Sequence, residues 1–508
     1  MNHPLNKFFA LFAFLSTLAF ATSAFAEDLY VAQTAAGSAN GTSAANAYAV
    51  SFFNNSSNWA AGAGKISAGD TVRLVGTIST TLTVQGSGSS DSPITIKFEP
   101  GAKLSKPAWG TTTAAAIYGS SKNFITVDGA NTGIIECTAN GDGMANQLQS
   151  HGIYITKCAN WEIKNLTIRN IYVHIYNTNN TVSAYTTLCI KASGSSNLSI
   201  HHNTLNNAYS AIYCLTESAI TVTNTNIYNN IISACSTDII AALGVSGSAM
   251  DVVNIYDNDI SMGVNWFDTP NNNHVDGIHC WTSNLGDITN LRIFNNYIHG
   301  DCGGHCTGYI FLENLMTSPR IYNNLLVATN SKPAEAFIDI STHGGTKYIH
   351  NNTVIGLGTS SSGGIGLVMY DGASTTASVK NNLFKNLYVC VADSSSDVWD
   401  TDYNQYYSYG NIGYNGAMKA TLSLWQALFG GDLHSILTNP LLNADYTIPL
   451  GSPSSTAGAN LSSFFTTDKA GNARPASGPW SIGCYAAGAS ANPVIIPPSS
   501  AITAILVF

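Results

Sequence analysis

The chain is poor in charge. Lys, Arg, Asp and Glu together make up 10% of its 508 residues, and 20 basic against 29 acidic side chains leave a formal net charge of −9. Basic residues nowhere cluster, which argues against a nucleic-acid partner, because nucleic acid is bound chiefly by neutralising its phosphates. Sustained helical periodicity is also missing; only residues 423 to 430, SLWQALFG, read as a short helix. The one long apolar run lies at the start, where FFALFAFLSTLAFA follows Lys7 and the small-x-small phrase AFA precedes Glu27. That pattern reads as a cleaved export signal, too short and wrongly flanked for a membrane span. The chain is therefore expected to act outside the cytoplasm, from about Glu27 onward, with no membrane span after cleavage.

What the chain has in quantity is apolar residues, 45% of the total, set among Asn, Ser, Thr and Gly. That composition suits an all-β protein with a large core. A phrase close to NIYNN recurs, ending at Asn165, Asn203, Asn230, Asn258, Asn296, Asn324, Asn352 and Asn382, in steps of 38, 27, 28, 38, 28, 28 and 30. A period of this size means a stacked solenoid. Before each Asn phrase stands a second short strand, which we read as pentads beginning at Gly152, Thr187, Ala211, Ile239, Gly277, Gly308, Ala336 and Gly366. Strand side chains alternate between faces, so places two and four should line the interior. In this reading only Asp339 spoils an apolar column. Strands stacked coil on coil, about 4.8 Å apart, form a parallel β-helix. The repeated Asn is then a ladder, each amide bonding to its copies above and below.

The termini carry a resemblance. YVAQTAAGSANGTSAANAY, AGDTVRLVGTI and SPITIKFEPGAKLS at the start, with DYNQYY, LWQALFGGDLHS and DKAGNARPASGPWSIGC at the end, resemble secreted proteins of the pectin lyase-like superfamily. The resemblance implies a single-stranded right-handed parallel β-helix with an N-terminal cap and an irregular closing segment. It covers nearly all of the expected mature chain, although the closing phrase is SIGCYA where many members end on an acidic one. The expected division is a signal over 1–26, cap and first coils over 27–105, β-helix over 106–415, closing segment over 416–485 and tail over 486–508. The superfamily holds lyases, hydrolases, epimerases and non-catalytic surface proteins, so activity rests on the site.

Two steps are about ten residues longer than the rest, and the excess falls in residues 166–186 and 259–276. Solenoid insertions emerge as loops on one face, often the binding face. Both loops are expected on one side, three coils apart, overhanging a cleft that a polysaccharide could enter. Its floor would carry Lys191, Tyr213 and Trp281, and the loops would add Tyr176 and Trp266, aromatic rings with polar tips that suit sugars. The phrase NNNHVDGIHCW, 271 to 281, breaks the repeat and gathers His274, Asp276 and His279; the next coil adds Asp301 and His305. Imidazole and carboxylate groups of this kind can serve as general acid and base. Asp238 and Asp276 share a place in adjacent coils, a spacing of about 5 Å that a retaining glycosidase pair would use. The polygalacturonases of the superfamily carry Asn-Thr-Asp-Gly, Asp-Asp and Gly-His-Gly motifs; HVDGIH and GHC are similar to the first and third, which implies that Asp276 and His305 correspond, but no Asp-Asp pair stands between them.

Ten cysteines are present, of which Cys214 and Cys280 fall in the interior columns as small apolar residues. Cys302 and Cys306 flank a glycine-rich loop, where a short disulfide is sterically possible; with His299 and His305 they match no zinc spacing, and no metal is expected. The expected function is polysaccharide cleavage by hydrolysis rather than β-elimination, without a cofactor unless the reaction is elimination, in which case calcium would serve. Elimination from a uronate needs its carboxylate neutralised by Arg, Lys or calcium, and the proposed floor offers only Lys191. A non-catalytic glycan-binding surface protein or a stiff rod is the alternative, supported by the regular solenoid.

Overall fold

A computed structural model describes residues 26–110, 114–174, 186–245, 247–263, 274–283, 286–300, 306–329, 336–370, 376–395 and 397–490. The expected signal and most of the tail lie outside these residues. So do Tyr176, Trp266, Asp301, Cys302 and His305.

Each coil contributes strands to three faces, and on every face strands pair parallel with their counterparts one coil away. The first face runs through His151–Thr156, Leu188–Ser193, Ser210–Leu215, Ile240–Gly244, Ile278–Thr282, Gly308–Thr317, Ala336–His343 and Ile365–Met369. The second includes Ser196–His201, Val222–Tyr228 and Ala249–Tyr256, and the third Thr204–Ala208, Ile231–Cys235 and Asp259–Ser261. This is the all-β parallel solenoid that the repeat predicts. Interior columns such as Ile200, Ile227, Ile255, Ile293, Ile321 and Ile349 are almost wholly buried. The short helix is present at Leu422–Phe429, begun by Thr421, whose hydroxyl accepts the Leu424 N–H, and ended by Gly430 at φ 70°.

The two asparagines of each NN phrase do different work. The first sits at the bend between the second and third faces with left-handed backbone, φ 52° at Asn229, 56° at Asn295, 54° at Asn323 and 51° at Asn351. Asn tolerates that conformation better than other residues with a Cβ. The second points inward and builds the ladder. Asn203, Asn230, Asn258, Asn296, Asn324, Asn352, Asn382 and Asn404 are joined in sequence by Nδ2–H to Oδ1 bonds of 3.0–3.1 Å. Asn165 is not a rung. Its φ of 58° and the pairing of Lys164 with His201 put it at the bend, level with His202, and Leu166 stands where the rung would be. Asn404 extends the ladder beyond the last expected member.

The pairing also corrects the pentad at Thr187 by two residues, which keeps its inward face, and those at Gly308 and Ala336 by one. Ile190 lies beside Ile212, Ile310 beside Ile278, and Ile338 beside Ile310. Tyr309 and Phe311 are therefore not the interior places of their strand; Ile310 and Leu312 are. Asp339 faces outward, and Ile338 and Ile340 keep the column apolar. A slip of one residue exchanges every inward side chain for its outward neighbour.

Cys137, Cys158, Cys189, Cys214, Cys235, Cys280, Cys390 and Cys484 are buried free thiols, and burial raises the thiol pKa of each. Toward the C-terminal end the core holds one ion pair almost free of solvent, Lys347 Nζ to Asp397 Oδ2 at 2.9 Å. Lys347→Met is expected to cost about 3–5 kcal/mol by leaving a buried carboxylate without its cation, and adding Asp397→Leu to recover most of it. Denaturation midpoints of the two variants check this, and a double variant no better than the single would contradict it.

Two buried histidines make stability depend on pH. Burial holds His151 and His350 near a pKa of about 3, well below the ordinary imidazole value. Both stay neutral in the folded chain and take up a proton on unfolding. Their contribution is complete above about pH 6.5 and is lost as pH falls towards 3, by up to roughly 3 kcal/mol each at pH 4. His350→Gln, which can keep the 3.0 Å bond to Ser378 Oγ, is expected to shrink the acid loss of the thermal midpoint between pH 7 and 4. An unchanged acid limb would show that other groups carry it.

Candidate functional site

The outer surface of the first face opens into a cleft of about 850 Å³ whose walls include Tyr209, Asp238, His279, Trp281, Phe311 and Glu313. One outward column crosses it, in which Ala241, His279, Phe311 and Asp339 occupy the same place in successive coils. The next outward column pairs Trp281 with Glu313. The cleft is thus built by register, from side chains dozens of residues apart in the chain.

The local sequence HVDGIHCW explains how the cleft is seated. Gly277 passes so close to the next coil that a Cβ there would lie 2.5 Å from the Tyr309 carbonyl oxygen. That approach carries Asp276 inward, where it is fully buried and its Oδ1 accepts the Gly308 N–H at 2.8 Å. Two places on, the alternation of the strand turns His279 outward, with its ring stacked on Phe311 at 4.5 Å between centroids. His274, at the rim, is exposed; its carbonyl accepts the Thr237 hydroxyl and its Nδ1 meets Thr307 Oγ1.

His279 lies between two carboxylates. Its Nδ1 is 3.1 Å from Asp238 Oδ1 and its Nε2 3.6 Å from Glu313 Oε2. Neither contact has the alignment of a hydrogen bond, so both are contacts of charge. Burial alone would lower the imidazole pKa, but the nearby charges, Asp238 foremost, outweigh it and push it up to about 10. With no other cation between the two carboxylates, that shift favours the protonated His279 ring, which cannot accept a proton as a general base. Its contact with Glu313 holds that carboxyl below its ordinary range, so Glu313 is ionised. Asp276 moves the other way: burial first, then the negative charge of Asp238, raise its pKa.

No family profile matches the chain, and no curated protein matches it by sequence. Among solved structures it is similar to XylC in complex with xylose, at 13% identity over 90% of this chain and 98% of that one, with a TM-score of 0.48. It is also similar to pectate lyase Pel9A, at 14% identity, 91% and 97% coverage and a TM-score of 0.43. An alginate lyase from Paenibacillus sp. str. FPU-7 shares 13% identity, with 73% and 95% coverage and a TM-score of 0.37. The chemistry of the cleft is therefore read from its own residues.

Of the expected site residues, the fold brings Asp238, His274, His279 and Trp281 to one cleft. Asp276 is beside them but beneath the surface, so it does not face a substrate, and the expected pair of cleft carboxylates is not Asp238 with Asp276. Tyr213 shares the His279 column two coils away, outside the cleft wall; burial first, then Asp238, raises the pKa of its hydroxyl. Lys191, one coil further, lies over the Tyr154 ring at 4.7 Å and does not line the cleft. The root of the first long insertion still reaches the site, because buried Tyr172 packs against the wall residue Tyr209. Glu313 is the residue that sequence reading missed. The pentad beginning at Gly308 ends one residue short of it, whereas aligning the alternation of Ile278 and Cys280 on Ile310 and Leu312 places Glu313 beside Trp281.

Proposed function

We propose that the protein is an exported enzyme that cleaves a polysaccharide in this cleft, by hydrolysis, with Glu313 as the carboxylate that acts at the sugar. One observation carries the reading: a partly exposed Glu313 stands beside Trp281 and across the buried His279 ring from Asp238. Standing on either side of the His279 ring, the two carboxylates can act as an acid–base pair. Glu313, as the more exposed, suits the base that activates water, and Trp281 offers an apolar surface to the sugar ring. Among the described residues lining the cleft none is Lys or Arg to neutralise a uronate, which favours hydrolysis over elimination.

The test is to incubate the protein with a panel of neutral and acidic polysaccharides, following reducing ends together with the absorbance of unsaturated products. New reducing ends without unsaturation, abolished by Glu313→Gln, are the expected result. Unsaturated products would replace hydrolysis by elimination. Binding without turnover across the panel would replace the enzyme by a glycan-binding surface protein.

A further inference from the structure

Beneath the carboxylate that faces the cleft lies a set of groups that the cleavage reading leaves unexplained. Asp238, Asp276 and His279 each bring one ligand atom, two carboxylate oxygens and an imidazole nitrogen, to within 4.8 Å of one another. Asp276 is wholly buried, and while its Oδ1 is taken by the Gly308 N–H, its Oδ2 has no hydrogen-bond partner. A buried carboxylate oxygen without a partner is costly. A second carboxylate, Asp238, brings an oxygen to within 4.8 Å of an oxygen of Asp276 and adds its repulsion. Both nitrogens of His279 are equally without an aligned hydrogen bond, although carboxylates lie close to each. Three donors that converge without an aligned hydrogen bond among them are arranged for a common partner carrying positive charge, which would take the place of the His279 proton.

We propose that Asp238, Asp276 and His279 form a site for one divalent transition-metal ion, of the zinc or manganese kind. The donor set selects the class. Calcium takes six to eight oxygen ligands, whereas an imidazole nitrogen with two carboxylates suits zinc or manganese. Three protein donors leave positions open, as in catalytic rather than structural sites. Asp238 and His279 line the cleft, so the open side faces the space where a water or a sugar hydroxyl would lie, next to Glu313. The site deepens the cleavage reading: the ion would polarise that water and Glu313 would take its proton.

The full chain, stripped with a chelator and dialysed, is titrated in a calorimeter with zinc, manganese and calcium chlorides separately. One zinc or manganese per chain is expected, with calcium bound much more weakly. Asp276→Asn and His279→Gln are each expected to weaken binding about a hundredfold or more, a ligand loss being at least as severe as loss of a supporting partner. Glu313→Gln should bind as the parent does, and unchanged circular dichroism shows that the variants remain folded. No saturable binding at millimolar metal overturns the site, as does zinc binding that Asp276→Asn leaves intact, or a preference for calcium. Metal binding without turnover on any polysaccharide keeps the site and removes the enzyme reading. Turnover by protein that neither holds nor rebinds metal does the reverse.

Discussion

Replacing Asn230 by alanine is expected to destabilise the protein by about 4 kcal/mol or more, while Asn229→Gly, one residue earlier, changes stability by less than about 1 kcal/mol. The Asn230 side chain makes four buried hydrogen bonds. Its Oδ1 accepts the backbone N–H of Asn203 at 3.2 Å and the Asn203 amide at 3.0 Å; its Nδ2 donates to the Ile200 carbonyl at 2.9 Å and to Asn258 Oδ1 at 3.0 Å. Alanine removes all four and strands polar groups on both neighbouring coils, where water does not reach. Each stranded group costs about 1–3 kcal/mol, which is why the sum is large. Asn229, in contrast, is there for its backbone, at φ 52°, and glycine meets that need without strain. Thermal or denaturant midpoints of the two variants decide the matter. Equal losses would mean that the two asparagines share one role and that the ladder is not what holds the coils together.

On the polysaccharide that the protein turns over, Glu313→Gln is expected to lower kcat about a thousandfold with little change in KM, the size of effect seen when a positioned acid–base group is removed. Glutamine keeps the shape of the side chain and its place beside Trp281 but can neither take a proton nor carry the charge that faces His279. Trp281→Ala should separate cleanly from it by raising KM more than it lowers kcat, since an aromatic platform binds the sugar in ground and transition states alike. Asp238→Asn removes the other carboxylate facing His279, so it should also reduce kcat. Steady-state kinetics on the three variants test the assignment; a Glu313→Gln enzyme within tenfold of the parent would remove Glu313 from the chemistry and return the search to the rest of the cleft.

The one-residue slips show where linear reading loses its hold. Pentads anchored on Gly or Ala carry no information about which neighbour of the anchor faces inward, and at Gly308 and Ala336 the anchor was one place early. Asp339 was the visible sign. A carboxylate in an otherwise apolar column is a far costlier arrangement than a shifted register. Correcting that strand moves Asp339 outward and, through the neighbouring coil, Glu313 into the cleft.

The solenoid, its coil length, the recurring Asn of the ladder and the phrase at 271 to 281 are legible in the order of residues, because each follows from local periodicity or from the needs of a single turn. The membership of the cleft is a matter of register between coils. Whether Asp276 faces a substrate or the interior, and whether Glu313 meets His279, depends on a shift of one residue across a strand pair, and the missing Cβ of Gly277 is the margin that allows the close approach. Such shifts are set by how the apolar columns pack against one another over the whole stack, an energy summed over many distant contacts, and only the folded arrangement expresses it.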